Sequence, residues 1–198
     1  MGFNRRNEAL SCYDRGIHCL RIGQFAEAVI QLKLSTYLDN ENPDAFVALC
    51  LAAHEAELDD PLFHMALVRL LALRDGPALP RGIAIHDYQR GFYIDAITYA
   101  SRSIDIYPRS PLSFYALGRS YLAQQMFEES TRSFRRALEL DPDFAVVQKL
   151  YRWLLTYVSL PENERHQLLD TPGTPMHSYP STRHAPGQDL QFKMRSFR

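Results

Sequence analysis

Leu112 to Pro142, LSFYALGRSYLAQQMFEESTRSFRRALELDP, is the stretch from which the rest of the chain can be read. Phe114, Leu117, Gly118 and Tyr121 in its first half, and Phe127, Phe134, Ala137 and Leu140 in its second, recur at intervals of three, four and seven. Such intervals put each set on one face of an α-helix. Asp141-Pro142 closes the run, because proline cannot continue a helix. The stretch therefore predicts two amphipathic helices joined by a tight turn, and one such hairpin cannot bury its own apolar face without stacked neighbours.

The unit recurs. A shift of 34 residues upstream takes Phe127 to Tyr93, Ser130 to Ala96, Ala137 to Ser103 and Pro142 to Pro108, recovering GFYIDAITYASRSIDIYP. A shift of 68 takes Gly91 to Gly23, Tyr93 to Phe25 and Ala96 to Ala28, recovering GQFAEAV with Gly16 and Cys19 ahead of it. A copy must lie between, and Asp44 to Leu73 supplies it: DAFVALCLAAHEAEL, then Asp59-Asp60-Pro61 as turn and cap, then LFHMALVRLLAL with Ala66 in the small slot. Its phase slips by about four residues, since TYLDNENP lengthens the loop before it.

The pattern resembles the tetratricopeptide repeat: a large apolar residue, Leu-Gly, Tyr, an aromatic just after the turn, an Ala-Leu pair and a final Pro. Ser130 stands where that family usually has Ala, and is still small enough for close helix approach. The resemblance covers roughly residues 9–142. It implies an all-α fold, a right-handed superhelical array of antiparallel helix pairs with about four repeats at 9–42, 44–75, 77–110 and 111–143. A terminal helix over 144–160 and a tail complete the chain, giving one domain over 1–169 and a Pro-rich segment over 170–198.

Taken in order, Asn7 is read as a helix cap, with the first helix over Glu8–Ile22 and the second over Phe25–Leu38. DGPALPRG, with two prolines and two glycines, predicts a bend and a short helix over Arg81–Arg90. Phe144 to Leu160 predicts an unpaired polar-faced helix, with Arg152 where the packing Gly would fall. PENERHQLL can add a short helix. From Thr171 the Pro, Gly, Ser and Thr content is that of a disordered tail. LQFKMRSF within it can alternatively order on a partner or fold back on the repeats.

With 46% apolar residues, the chain has enough for a core, and a net charge of −1 argues against a dedicated nucleic-acid binder. Three cysteines without a CxxC pair suit a reducing compartment, so a cytoplasmic protein is expected. No signal-peptide core opens the chain, Arg6 stands where a myristoylation signal needs Ser or Thr, and no run is long enough to cross a bilayer. A soluble protein without direct membrane insertion follows as the expectation.

No GxGxxG, GxxxxGKS, HExxH or GxSxG motif and no zinc spacing is present, so no enzyme, cofactor or metal is expected. Cys12 and Cys19, with His18 beside the latter, occupy apolar slots and read as core. His54, Glu55 and His64 read as ordinary helix residues, and Asp59-Asp60 as a cap.

The family resemblance implies a concave wall lined by the first helix of each pair, where a protein or peptide partner lies. Projected onto this chain, that wall holds Tyr13, Ile17, Arg21, Arg81, Ile85, Tyr88, Tyr115, Arg119, Leu122, Lys149 and Trp153, with Glu55 and Asp59 on the same side. Aromatic rings beside Arg and Lys favour a segment carrying acidic and apolar residues. Co-chaperones of the family that grip a C-terminal carboxylate use Lys and Asn where this chain has Tyr13 and Ile17, which argues against that mode. The expected role is a non-catalytic adaptor supporting complex assembly. Alternatives are a dedicated chaperone resembling those of type III secretion, or a structural subunit of a membrane, cytoskeletal or ciliary assembly. A homo-oligomer is left open.

Overall fold

A computed structural model describes residues 2–56, 58, 60–73 and 78–169. Among them are ten helices and no strand: α1 (Gly2–Arg21), α2 (Phe25–Leu38), α3 (Pro43–Glu55), α4 (Asp60–Leu73), α5 (Ala78–Gln89), α6 (Tyr93–Ile106), α7 (Pro111–Ala123), α8 (Phe127–Leu140), α9 (Ala145–Ser159) and α10 (Glu162–Leu169). The expectations for the Pro-rich tail and its LQFKMRSF segment, for Asp59, and for the first part of the bend over DGPALPRG, 75–77, lie outside the described residues, as do the side chains of Asp60 and His64; the rest of that stretch, 78–82, is helical.

The helices pack as consecutive antiparallel pairs, α1 with α2, α3 with α4, α5 with α6 and α7 with α8, and each second helix also meets the next first helix, although α3 meets α5 more closely than α4 does. One volume rule governs three of the pairs. Gly16 faces Leu32, and a methyl group added at Gly16 would sit 2.6 Å from the Leu32 side chain. Gly118 faces Phe134 in the same way, at 2.5 Å. At the equivalent places in the third pair, Ala84 and Ala100 meet in one buried cluster. A large side chain on the second helix thus goes with no side chain on the first, and two small ones replace them, which keeps the interior close-packed.

The turns repeat as faithfully. Gly23, Gly91 and Gln125 hold one register position and share a left-handed backbone, with φ of 82°, 81° and 58°. At each, the residue's own N–H reaches back three residues and the next N–H reaches back five: Gly23 to Leu20 with Gln24 to Cys19, Gly91 to Tyr88 with Phe92 to Asp87, and Gln125 to Leu122 with Met126 to Tyr121. This double closure is the Schellman cap, which glycine enters without steric cost. Helix starts are likewise specified. Asn42 accepts from the Asp44 and Ala45 amides ahead of Pro43, and Ser110 accepts from the Ser113 amide ahead of Pro111.

Two local expectations are corrected. Asn7 is no cap, because α1 starts at Gly2 and runs through it. α5 begins at Ala78, ahead of Arg81, since Pro80 falls in its first turn where a missing N–H costs nothing. α9 has no second helix of the motif; it packs on α8 and touches the short α10 and, at the other end of the array, α1. Trp153 and Phe127 both lie against the Tyr157 ring, at 5.4 and 4.4 Å between centroids. Arg152 is exposed and donates to Gln148 within α9.

The contact between α1 and α9 draws the array round on itself. Arg21, at the end of α1, makes an ion pair with Asp141, in the turn before α9. Gly23 lies against Val146. The first helices therefore line a space that this joint closes on one side.

Candidate partner-binding cavity

That space divides into two very different parts. The deeper part is sealed by a polar cluster joining α3, α5 and α7. Glu55, in the last turn of α3, accepts from the Tyr115 hydroxyl at 2.7 Å and from the Arg119 guanidinium at 3.2 Å. Arg119 also donates to the Tyr88 hydroxyl at 3.0 Å and lies over the Tyr88 and Tyr115 rings. His54 meets Tyr88 edge-on, with centroids 5.1 Å apart. Arg119 is 7% exposed and Tyr115 fully buried. The void beside the cluster is about 10 Å³, at the limit of a single water.

Burial dominates the titration of these groups. It raises both tyrosines, Tyr115 strongly, with Arg119 opposing. It lowers His54, which Arg119 reinforces and Glu55 opposes. A neutral form is favoured in each case because the charged one is cut off from water.

The outer part is a cavity of about 510 Å³, a size that suits a ligand or a short chain segment. α1 contributes Tyr13, Ile17 and Arg21, the start of α3 Asp44, α5 Arg81, the α6–α7 turn Tyr107, Arg109 and Ser110, and the turn before α9 Asp141 and Phe144. Two of its three arginines are fixed internally. Arg21 pairs with Asp141, and the fork of Arg81 spans Asp44 and the Ser110 hydroxyl, the latter at 3.0 Å, tying three helix pairs together at the rim. Arg109 is exposed. Burial, helped by Asp44, pushes the Tyr13 hydroxyl up to about 12, so it stays a hydrogen-bond donor.

The eleven residues projected onto the inner wall separate accordingly. Tyr13, Ile17, Arg21 and Arg81 come together in the cavity. Ile85, Tyr88, Tyr115 and Arg119 converge in the sealed cluster instead. Leu122 is wholly enclosed and offers no surface. Lys149 is exposed, and Trp153 is half-buried in its stack on Tyr157; neither lines the cavity. Cys12 and Cys19 are buried, and Cys50 is enclosed with its thiol pushed up by burial.

Residues 111–144, comprising α7, α8 and the turn to α9, match the family model for the tetratricopeptide repeat. That stretch resembles one tetratricopeptide repeat, and the stacked helix pairs before it are consistent with an array of that type. No curated protein matches the chain. The cavity residues that sequence reading passed over are Asp44, Tyr107, Arg109, Ser110, Pro111, Leu112, Asp141 and Phe144. Each lies at a helix start or in a turn, where helical periodicity carries no information. The tetratricopeptide repeat is a protein-interaction module, which agrees with an inner wall built from rings and guanidinium groups.

Proposed function

We propose that the chain is a non-catalytic scaffold that holds a partner's acidic and apolar segment in the cavity between α1 and the first turns of α3, α5 and α7. The observation that carries this is the lining: three arginines against two aspartates, with Ile17, Leu112 and Phe144 beside them. The internal pairs consume both aspartates, so Arg109 remains as the cation offered to a ligand, and the protonated Tyr13 hydroxyl is a second donor to a carboxylate. Apolar neighbours supply the contact area that gives such a pair its worth.

The array's closure limits how the segment enters. A space bounded on opposite sides by α1 and α9 admits a chain end or a short turn, whereas an open trough would take a long extended peptide.

Selection of short displayed peptides on the full-length protein tests the reading. Enriched sequences are expected to place Asp or Glu next to apolar residues, and Arg109→Glu is expected to weaken them by about tenfold or more, while Lys149→Glu leaves them unchanged. Peptides that bind Arg109→Glu as well as the parent would overturn the assignment. Arg119 is unsuitable for this test, because its charge is part of the wall.

A further inference from the structure

The second helices of the array differ on their outer faces in a way that packing within the chain does not explain. α2 and α8 hold the same place in their repeats, Phe25 and Phe127 both opening the helix. The outward positions of α8 are Arg132, Arg136 and Glu139, and the matching ones of α6 are Thr98, Arg102 and Asp105, all exposed. In α2 the same positions are Ile30, Leu34 and Tyr37, exposed by 59%, 41% and 73%. α8 has helix pairs packed before it, and these positions remain open there, so a further repeat ahead of α1 would not cover them either.

The apolar face continues onto α4, where Met65, Val68 and Leu71 are exposed by 53%, 51% and 45%. Arg69 of α4 donates to the Asn40 carbonyl at 3.0 Å, just past the end of α2, which joins the two helices at that end. These six side chains present on the order of 600 Å² of surface, at the upper end of what a monomer exposes and near the roughly 800 Å² that each partner gives a stable interface. α2 is thus apolar on its inner face and, apart from Glu27 and Lys33, carries large apolar side chains outward as well.

The charges at the two ends of this face are of opposite sign. Glu27 sits in the first turn of α2. At the other end Arg5 lies over the Tyr37 ring, 5.6 Å from its centre, and donates to the Tyr37 carbonyl, with Arg6 near Asp39.

We propose that the outer face of α2 and α4 is the contact between two copies of this chain, related by a two-fold axis that crosses α2 near Leu34. Antiparallel α2 helices then lay Ile30 of each copy toward Tyr37 of the other. The same arrangement brings the Glu27 end of each copy to the Arg5 end of the other, so a single patch is complementary to itself, as a two-fold interface requires. The rim carries both signs, Glu27 at one end and Arg5 at the other with Lys33 between, a mixture that a second copy can match end to end.

Sedimentation and light scattering on the full chain test this. The parent is expected to be a dimer at micromolar concentration. The variant Ile30→Arg, Leu34→Arg, Tyr37→Glu, which installs the residues of α8, is expected to raise the dimer dissociation constant by about a hundredfold or more with unchanged helicity. Leu34→Cys, near the axis, is expected to cross-link copy to copy on mild oxidation, whereas Lys149→Cys does not. A parent that is monomeric at about 100 μM, a triple variant that stays dimeric, absence of the Leu34→Cys cross-link, or a monomer that binds neutral vesicles through this face would each overturn the proposal.

Discussion

Replacing Glu55 by Gln removes one charge and almost no volume from the cluster that seals the inner wall. In the parent, Glu55 receives the Tyr115 hydroxyl at 2.7 Å and the Arg119 guanidinium at 3.2 Å, and Arg119 is 7% exposed. The substitution removes a carboxylate that accepts from this guanidinium, while the Tyr88 and Tyr115 hydroxyls and ring faces stay beside it. Stranding one member of a buried ion pair costs about 3–5 kcal/mol. The amide oxygen of Gln can still accept one bond, which places this case near the lower bound, about 3 kcal/mol. For a domain of this size, each kcal/mol moves the melting temperature by about 2–4 °C, so a drop of about 6–12 °C is expected. Urea denaturation followed by circular dichroism supplies the companion measurement, with the midpoint preferred to an extrapolated free energy because repeat arrays can melt in steps. Adding Arg119→Met to Glu55→Gln removes the stranded charge, and the double variant is expected to be more stable than Glu55→Gln alone. A melting temperature within about 2 °C of the parent, or a double variant showing simple addition of two losses, would refute the account of the wall.

Three shorter predictions follow from the repeat geometry. Gly118→Ala forces a methyl group to within 2.5 Å of the buried Phe134 ring, and a loss of about 1–3 kcal/mol in thermal denaturation is expected. Gln125→Gly relieves the one non-glycine left-handed residue among those described, and its melting curve should show a gain of about 0.5–1 kcal/mol. Acid titration reports His54: its folded pKa is depressed, so the unfolded chain binds the proton first. Stability is then complete above about pH 6.5 and falls as the pH drops from there toward the lower folded value, by at most about 1.4 kcal/mol per pH unit. His54→Gln should flatten that slope.

The fold was legible because it is periodic. Phe127 against Tyr93 and Phe25, or Gly118 against Gly16, are spacings that only a stacked helix pair satisfies, and the structure places them in matching surroundings. Helix ends were less legible where side-chain chemistry is ambiguous: Asn7 reads as a cap but its amide is carried inside α1, whereas Asn42 and Ser110 do cap because a proline follows them. The inner wall was legible in part. Periodicity places Arg119 and Arg81 on one face of their helices, but it cannot say that Glu55 arrives from another repeat to neutralise the first, or Asp44 the second. Those partners lie 64 and 37 residues away and are brought in by the curvature of the array. The same curvature turns Asp141, which reads as part of a helix stop, into a partner of Arg21.

The meeting of α1 with α9 also bears on how such a chain can change by duplication. In an open stack a copy can be gained or lost at either terminus, and the remaining interfaces are undisturbed. Here an inserted helix pair would carry Asp141 and Val146 away from Arg21 and Gly23 and open the chamber between them. Copy number is therefore constrained by the joint itself, and variation is expected in the turns and on the outer faces before it appears in the count of repeats.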